Sequence, residues 1–125
     1  PVYYVQYAHA RLCNLLKTLE AEGAKIPEAG EVDLSLLSGP TEEALMKSLA
    51  AYCEEVRLAA RDYDPSHINR YLIQLAGDFH RFYSACRIKG EEAHVLSARL
   101  KLAALTRTVL ANGMALLGVT APEKM

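Results

Sequence analysis

Two segments of the chain repeat tyrosine, arginine and histidine at helical spacing. Residues three or four apart lie on one face of a helix, so each repeat would form a stripe beside the apolar face. Tyrosine rings can stack on unpaired bases and guanidinium groups can bind phosphate, so the stripes could bind nucleic acid. They could equally be ordinary packing of a helical bundle with solvated tips. The stripe residues are Tyr3, Tyr7, Arg11, His80, Tyr83 and Arg87.

Spacing alone leaves the role of each stripe residue open. We expect one stripe at each end of the fold. Tyr7 and Tyr83 each lie one step from an apolar seam, so stacking on a ligand and resting on the core edge are equally good interpretations. For Arg11 and Arg87, spacing alone favours a solvated side chain or a surface ion pair. Arg107 is in register with apolar residues, where it could extend to solvent, pair with a buried acid or mark the end of the stripe.

No arrangement of residues predicts a catalytic centre or a metal site. The four histidines are scattered, and they form no recognised metal-binding motif. The sequence contains no glycine-rich phosphate loop and no nucleophile elbow. The adjacent acids Glu42 and Glu43 face apart on a helix, as do Glu54 and Glu55, and all are expected on the solvated surface. We therefore expect no catalytic residue, no metal and no cofactor in this chain.

The composition is that of one globular domain, which we expect to span residues 1–125. Hydrophobic residues make up 51% and charged residues 23%, and no apolar run approaches the roughly 18 residues of a membrane span. The net charge of −1 hides an uneven distribution, with +2 over residues 1–19, −7 over 20–55 and +4 over 56–125. Such asymmetry can orient a domain on a polyanion, although solvated helix faces also carry charge in blocks.

The cysteines and the start of the chain predict its cellular context. The three cysteines are widely spaced and odd in number, which predicts reduced, mostly buried thiols and a cytoplasmic protein. No secretory signal is visible. Because the chain begins with Pro1 rather than Met, we expect it to be a fragment of a longer protein.

Apolar residues recur every three or four positions almost throughout, which predicts an all-α fold. Proline and glycine punctuate one linker, residues 24–40, in which residues 33–37 could form a helical turn. Four long helices joined by otherwise short connections make a helical bundle, with a possible short helix in the linker. The predicted long helices are residues 2–22, 41–61 with Thr41 as N-cap, 65–88, and 91 or 92 to 117.

Several motifs resemble those of one known family. The opening reads Tyr7-Ala-His-Ala-Arg11, the third predicted helix contains Phe79-His-Arg-Phe-Tyr83, and the chain closes with Leu116-Leu-Gly-Val-Thr-Ala-Pro-Glu-Lys-Met125. Together they resemble the C-terminal anticodon-binding domain of arginyl-tRNA synthetases, over nearly the whole chain except residues 24–45. Where the family has its Asp-Ala-Leu-Arg motif, this chain has Ser97-Ala-Arg-Leu100 instead.

The resemblance implies a function and a set of binding residues. It implies a bundle that receives the anticodon loop of arginine tRNA and reads its middle cytosine. It also implies a class Ia parent enzyme whose catalytic domain, in the same chain, uses ATP and Mg²⁺. DNA and membranes are not among the implied partners. By resemblance the loop-binding residues are Tyr7, Arg11, Tyr83, Arg87 and Met125, with Tyr3, His80 and Asn112 as possible supporting residues.

One alternative from another functional class stays open. Tyrosine and arginine are also favoured at protein–protein contacts, so the stripes could form a protein-interaction surface. The nucleotide-binding motifs of a class Ia synthetase are absent from the sequence. We therefore expect the chain by itself to be inactive as an enzyme.

Overall fold

The apolar periodicity of the chain produces an all-helical structure. The computed structural model describes residues 1–125 and contains helices and connecting segments without strands. The prediction of an all-α helical bundle is therefore confirmed. The α-helices are α1 (Val2–Ala21), α2 (Pro40–Ala50), α3 (Tyr52–Asp62), α4 (Ser66–Ala85) and α5 (Ala93–Leu116).

Helix α4 forms the centre of the bundle, because it packs against each of the other four α-helices. Its aromatic residues Phe79 and Phe82 are completely buried. On α1, Leu12 and Leu16 are completely buried too, whereas Leu15 is only half-buried. Both helices therefore contribute to one core.

The linker between α1 and α2 contains two short 3₁₀ turns, at Ala29–Glu31 and Leu34–Leu36. The turn expected at residues 33–37 is therefore present, and its last residue, Leu37, is buried in the core. The expected N-cap at Thr41 is wrong. Helix α2 begins at Pro40 after Gly39, whose N–H donates to Glu42 Oε1 at 3.0 Å.

Glu42 lies inside the protein, so the expectation that it is solvated is wrong. Its side chain is 4% exposed and pairs with Arg99 on α5, at 3.0 Å between Oε2 and Nε. Arg99 Nη1 also donates to the backbone carbonyl of Arg87. The pair therefore joins α2, α5 and the segment between α4 and α5.

The helix predicted over residues 41–61 is divided at Ala51 into α2 and α3. The buried Tyr71 hydroxyl on α4 donates to the Ser48 carbonyl at 2.5 Å, and the Ala51 N–H donates to the same oxygen at 3.2 Å. That oxygen would otherwise accept from Tyr52 N–H in a continuous helix. The break between α2 and α3 therefore coincides with a hydrogen bond from a side chain of another helix. Local helix propensity does not predict such a contact.

Helix α4 ends at Ala85, not at residue 88. Cys86 takes an extended conformation, with φ −120° and ψ 118°. The change of direction allows Ile88 to enter the core, where it is 4% exposed. Arg87 consequently leaves the helical stripe to which its spacing had assigned it.

Helices α4 and α5 approach each other closely at Gly113. A Cβ atom at this position would lie 2.5 Å from Cδ2 of the buried Leu72, well inside van der Waals contact. Glycine is therefore required by packing rather than by backbone conformation.

Two further expectations concern thiols and membranes. Cys53 is exposed while Cys13 and Cys86 are half-buried, and all three are free thiols. The expectation of mostly buried thiols is therefore wrong. No helix combines the length and apolarity needed to cross a bilayer.

Candidate functional site

The two polar-aromatic stripes meet in the folded chain. Because α1 packs against α4, the guanidinium carbon of Arg11 lies over the Tyr83 ring, 4.2 Å from its centroid. Arg11 Nη1 also lies 3.3 Å from His80 Nδ1. The expectation of one stripe at each end of the fold is therefore wrong. The stripes form a single surface, and a cation–π contact stabilises their junction.

A groove of about 760 Å³ opens at this junction, between α1, α4, α5 and the segment that follows α5. Tyr7 is 54% exposed and Met125 61% exposed at its margin. The lining combines aromatic, cationic and apolar groups: Tyr7, Ala10, Arg11, Cys13, Asn14, Leu15, Lys17, Glu20, Tyr83, Arg107, Glu123, Lys124 and Met125.

The segment after α5 folds back over α1 and closes one side of the groove. Gly118, with φ +71°, reverses the chain at the end of α5, a conformation that glycine adopts without strain. Gln6 Nε2 then donates to the Thr120 carbonyl at 2.9 Å, and His9 Nδ1 donates to the Pro122 carbonyl at 2.9 Å. His9 is buried, so this contact anchors the segment that carries Glu123, Lys124 and Met125.

The cations of the groove form no ion pairs within the protein. Four bases line it, against the two acids Glu20 and Glu123. Arg11, Lys17, Arg107 and Lys124 take part in no ion pair, although six other lysines and arginines do. Unpaired cations beside stackable rings are suited to a ligand that is both anionic and aromatic.

His80 supports the groove from behind. Its ring centroid lies 5.5 Å from that of Tyr4 and 5.7 Å from that of Phe79. Burial, together with the positive charge of Arg11, lowers the pKa of His80 below its ordinary value. The neutral ring can accept a hydrogen bond from Arg11, which requires an unprotonated Nδ1.

We expect acid to destabilise the protein through His80. The pKa of His80 is lower in the folded than in the unfolded chain. Its contribution to stability is therefore complete at a pH above the pKa in the unfolded chain, and it is lost as pH falls through the pKa in the folded chain. His80→Asn keeps an acceptor for Arg11 but does not titrate. Urea unfolding should therefore show a smaller loss of stability from pH 7 to pH 5 than in the unmodified chain.

Equal pH dependence in the unmodified chain and in His80→Asn would contradict the assignment.

The structure brings some, but not all, of the sequence-predicted residues into the groove. Tyr7, Arg11, Tyr83 and Met125 line it together. Arg87 lies outside the lining and is 3.5 Å from Glu91, between Nε and Oε1. The binding roles of all these residues remain predictions.

The three possible supporting residues take separate positions. Tyr3 is 74% exposed and lies outside the groove lining. His80 contacts Arg11 from the protein side. Asn112 lines a second depression, of about 520 Å³, that shares Cys13, Arg107 and Glu123 with the groove.

Sequence reasoning missed several residues of the groove. Lys17 and Lys124 were not predicted for the site. Arg107 carried a signal, since it is a cation in register with apolar residues, but its role was left open. Nowhere do three histidine, cysteine or acidic side chains lie close enough to hold a metal ion.

Comparisons with known proteins agree with this architecture. The family model for the DALR anticodon binding domain matches residues 5–125. Arginine–tRNA ligases from Acetivibrio thermocellus and Bordetella petrii are 50% and 49% identical over all 125 residues. The chain spans 22% of the length of each of these proteins.

Solved structures give the same result. Thermus thermophilus arginyl-tRNA synthetase is 33% identical with a TM-score of 0.83, over 98% of this chain and 21% of that one. A putative arginyl-tRNA synthetase from Campylobacter jejuni is 28% identical with a TM-score of 0.85, over 100% of this chain and 26% of that one. With a family model that matches almost its whole length, the chain belongs to the family of DALR anticodon binding domains.

Proposed function

We propose that this chain binds the anticodon loop of arginine tRNA, as the recognition domain of an arginine–tRNA ligase. The observation that carries the proposal is the groove itself, where Tyr7 and the Arg11–Tyr83 stack lie beside cations that form no ion pair and outnumber the acids of the lining by four to two. Family membership and the relatives' names supply the identity of the RNA.

The geometry suggests how unpaired bases would bind. Tyr7 presents an exposed ring, on which a base can stack directly. The Arg11 guanidinium lies on the Tyr83 ring and offers a second planar surface, since guanidinium planes also stack on bases. Lys17 and Lys124 line the same groove and can bind the phosphates of the loop. Binding would therefore combine stacking with charge neutralisation.

The catalytic step belongs elsewhere in the parent protein. The groove lacks a glycine-rich phosphate loop, and no cluster of acids could hold Mg²⁺. We assign ATP and Mg²⁺ to a catalytic domain of the parent protein, outside this chain. In this proposal the parent enzyme acts in the cytoplasm, and the present chain contributes affinity and choice of tRNA.

Salt and base identity together test the proposal. Fluorescence anisotropy would compare an arginine anticodon stem-loop with a matched loop whose middle cytosine is replaced by guanine. We expect tighter binding to the cytosine loop. The logarithm of the association constant should fall with the logarithm of salt concentration, with a slope of about −0.7 for each phosphate contacted.

Two outcomes would contradict the proposal. Equal affinity for both loops would mean backbone attraction without reading of the anticodon. Absence of binding at low salt would favour the alternative, a protein-interaction surface built from the same tyrosines and arginines.

A further inference from the structure

Arg107 is one of the residues that the groove and the second depression have in common. Cys13, Arg107 and Glu123 line both cavities, which have volumes of about 760 Å³ and 520 Å³. A single strand with one nucleotide in each cavity would pass these shared residues. The group that lies beside them would then be the phosphate that links the two nucleotides.

Among the three residues that line both cavities, Arg107 is the one cation and Glu123 the one acid. Arg107 lies on α5 in register with the buried Ala103, Leu110 and Met114, yet it is in none of the ion pairs of the structure. Its nearby partner is the Cys13 thiol. Burial raises the pKa of that thiol, and Arg107 only partly opposes the effect, so the thiol remains neutral.

The second depression offers hydrogen-bonding groups rather than stacking surfaces. Asn112 is exposed at its margin, and its side-chain amide makes no hydrogen bond within the protein. Thr108 Oγ1 donates to the Ala104 carbonyl at 3.2 Å, which leaves its lone pairs free to accept. His9 is the one ring in the lining, and it is buried and donates a hydrogen bond to the Pro122 carbonyl. A base would therefore be held by its edge.

We propose that the chain binds two consecutive unpaired nucleotides, one in the groove and one in the second depression over Asn112, with Arg107 clamping the phosphate between them. The inference rests on the proposed function and assigns to it a residue and a second subsite. Arginine suits this task because its planar guanidinium can donate two parallel hydrogen bonds to one phosphate. A lysine would supply the charge but not the paired geometry.

The first test removes the charge of Arg107. Arg107→Gln should weaken binding of the arginine stem-loop about tenfold and make the salt slope shallower by about 0.7. Arg107→Lys should retain the salt slope but lose part of the affinity. Lys101→Gln, on the same helix and outside both cavities, is the matched control and should change affinity less than twofold.

The second test concerns the subsite. Stem-loops with an abasic nucleotide on either side of the middle base should bind the unmodified chain more weakly at one of the two positions. In Asn112→Ala most of that difference in affinity should disappear, because the edge of the base no longer has the Asn112 amide as a hydrogen-bonding partner. Such coupling in a double-mutant cycle is not expected from a merely structural asparagine.

The outcomes separate this inference from the function on which it rests. If the stem-loop does not bind the unmodified chain, both are overturned. If it binds and responds to changes at Tyr7, but Arg107→Gln behaves like Lys101→Gln, only the phosphate clamp is overturned. If Asn112→Ala keeps the full difference in affinity between the two abasic stem-loops, the second subsite is overturned.

Discussion

Replacing Arg99 by methionine should lower the free energy of unfolding by about 3–5 kcal/mol. Methionine keeps much of the apolar volume but leaves the Glu42 carboxylate, 4% exposed, without its counter-charge. Removing one member of a buried pair is costly because the remaining charge stays desolvated. The variant also loses the hydrogen bond from Arg99 to the Arg87 carbonyl. Urea unfolding followed by circular dichroism would measure the difference.

Two further variants identify the cause. The double variant Glu42→Gln/Arg99→Met should recover most of the lost stability, since the neutral amide can still accept from Gly39 N–H. Arg57→Met breaks the exposed pair with Glu54, whose side chains are 59% and 56% exposed, and should cost far less than Arg99→Met because solvent screens an exposed pair. Similar losses for Arg99→Met and Arg57→Met would show that burial of the Glu42–Arg99 pair has no energetic weight.

Replacing Tyr7 by alanine should weaken binding of the arginine stem-loop by about 1–3 kcal/mol, or roughly 5- to 150-fold. Tyr7 is 54% exposed in the groove lining, so its ring contributes little to the core and is free to stack on a base. Thermal stability should therefore change little while affinity falls. Anisotropy titration and thermal unfolding of the same samples would separate the two effects.

The control for this prediction is a tyrosine that lies away from the groove. Tyr63 is 94% exposed at the C-terminal end of α3, and Tyr63→Ala should change affinity less than twofold. Tyr7→Phe should retain nearly all binding if the ring acts by stacking. Full affinity in Tyr7→Ala would remove Tyr7 from the binding site.

The sequence alone determined which residues share a face within each helix. Periodicity identified the helical class of the fold, the apolar stripes of α1 and α4, and the turn in the linker. The family motifs singled out Tyr7, Arg11, Tyr83 and Met125, which the structure places around one groove. These successes have a common reason, since the helical repeat fixes the angular position of every side chain around its own axis.

Only the tertiary structure decided how the helices turn toward one another. Arg11 and His80 are 69 residues apart, Glu42 and Arg99 are 57 apart, and His9 and Pro122 are 113 apart. Helical periodicity contains no information about such pairs, because they depend on the relative rotation of packed helices. The meeting of the two stripes, the burial of Glu42, the break at Ala51 and the position of Arg107 in the lining of two cavities all follow from that packing.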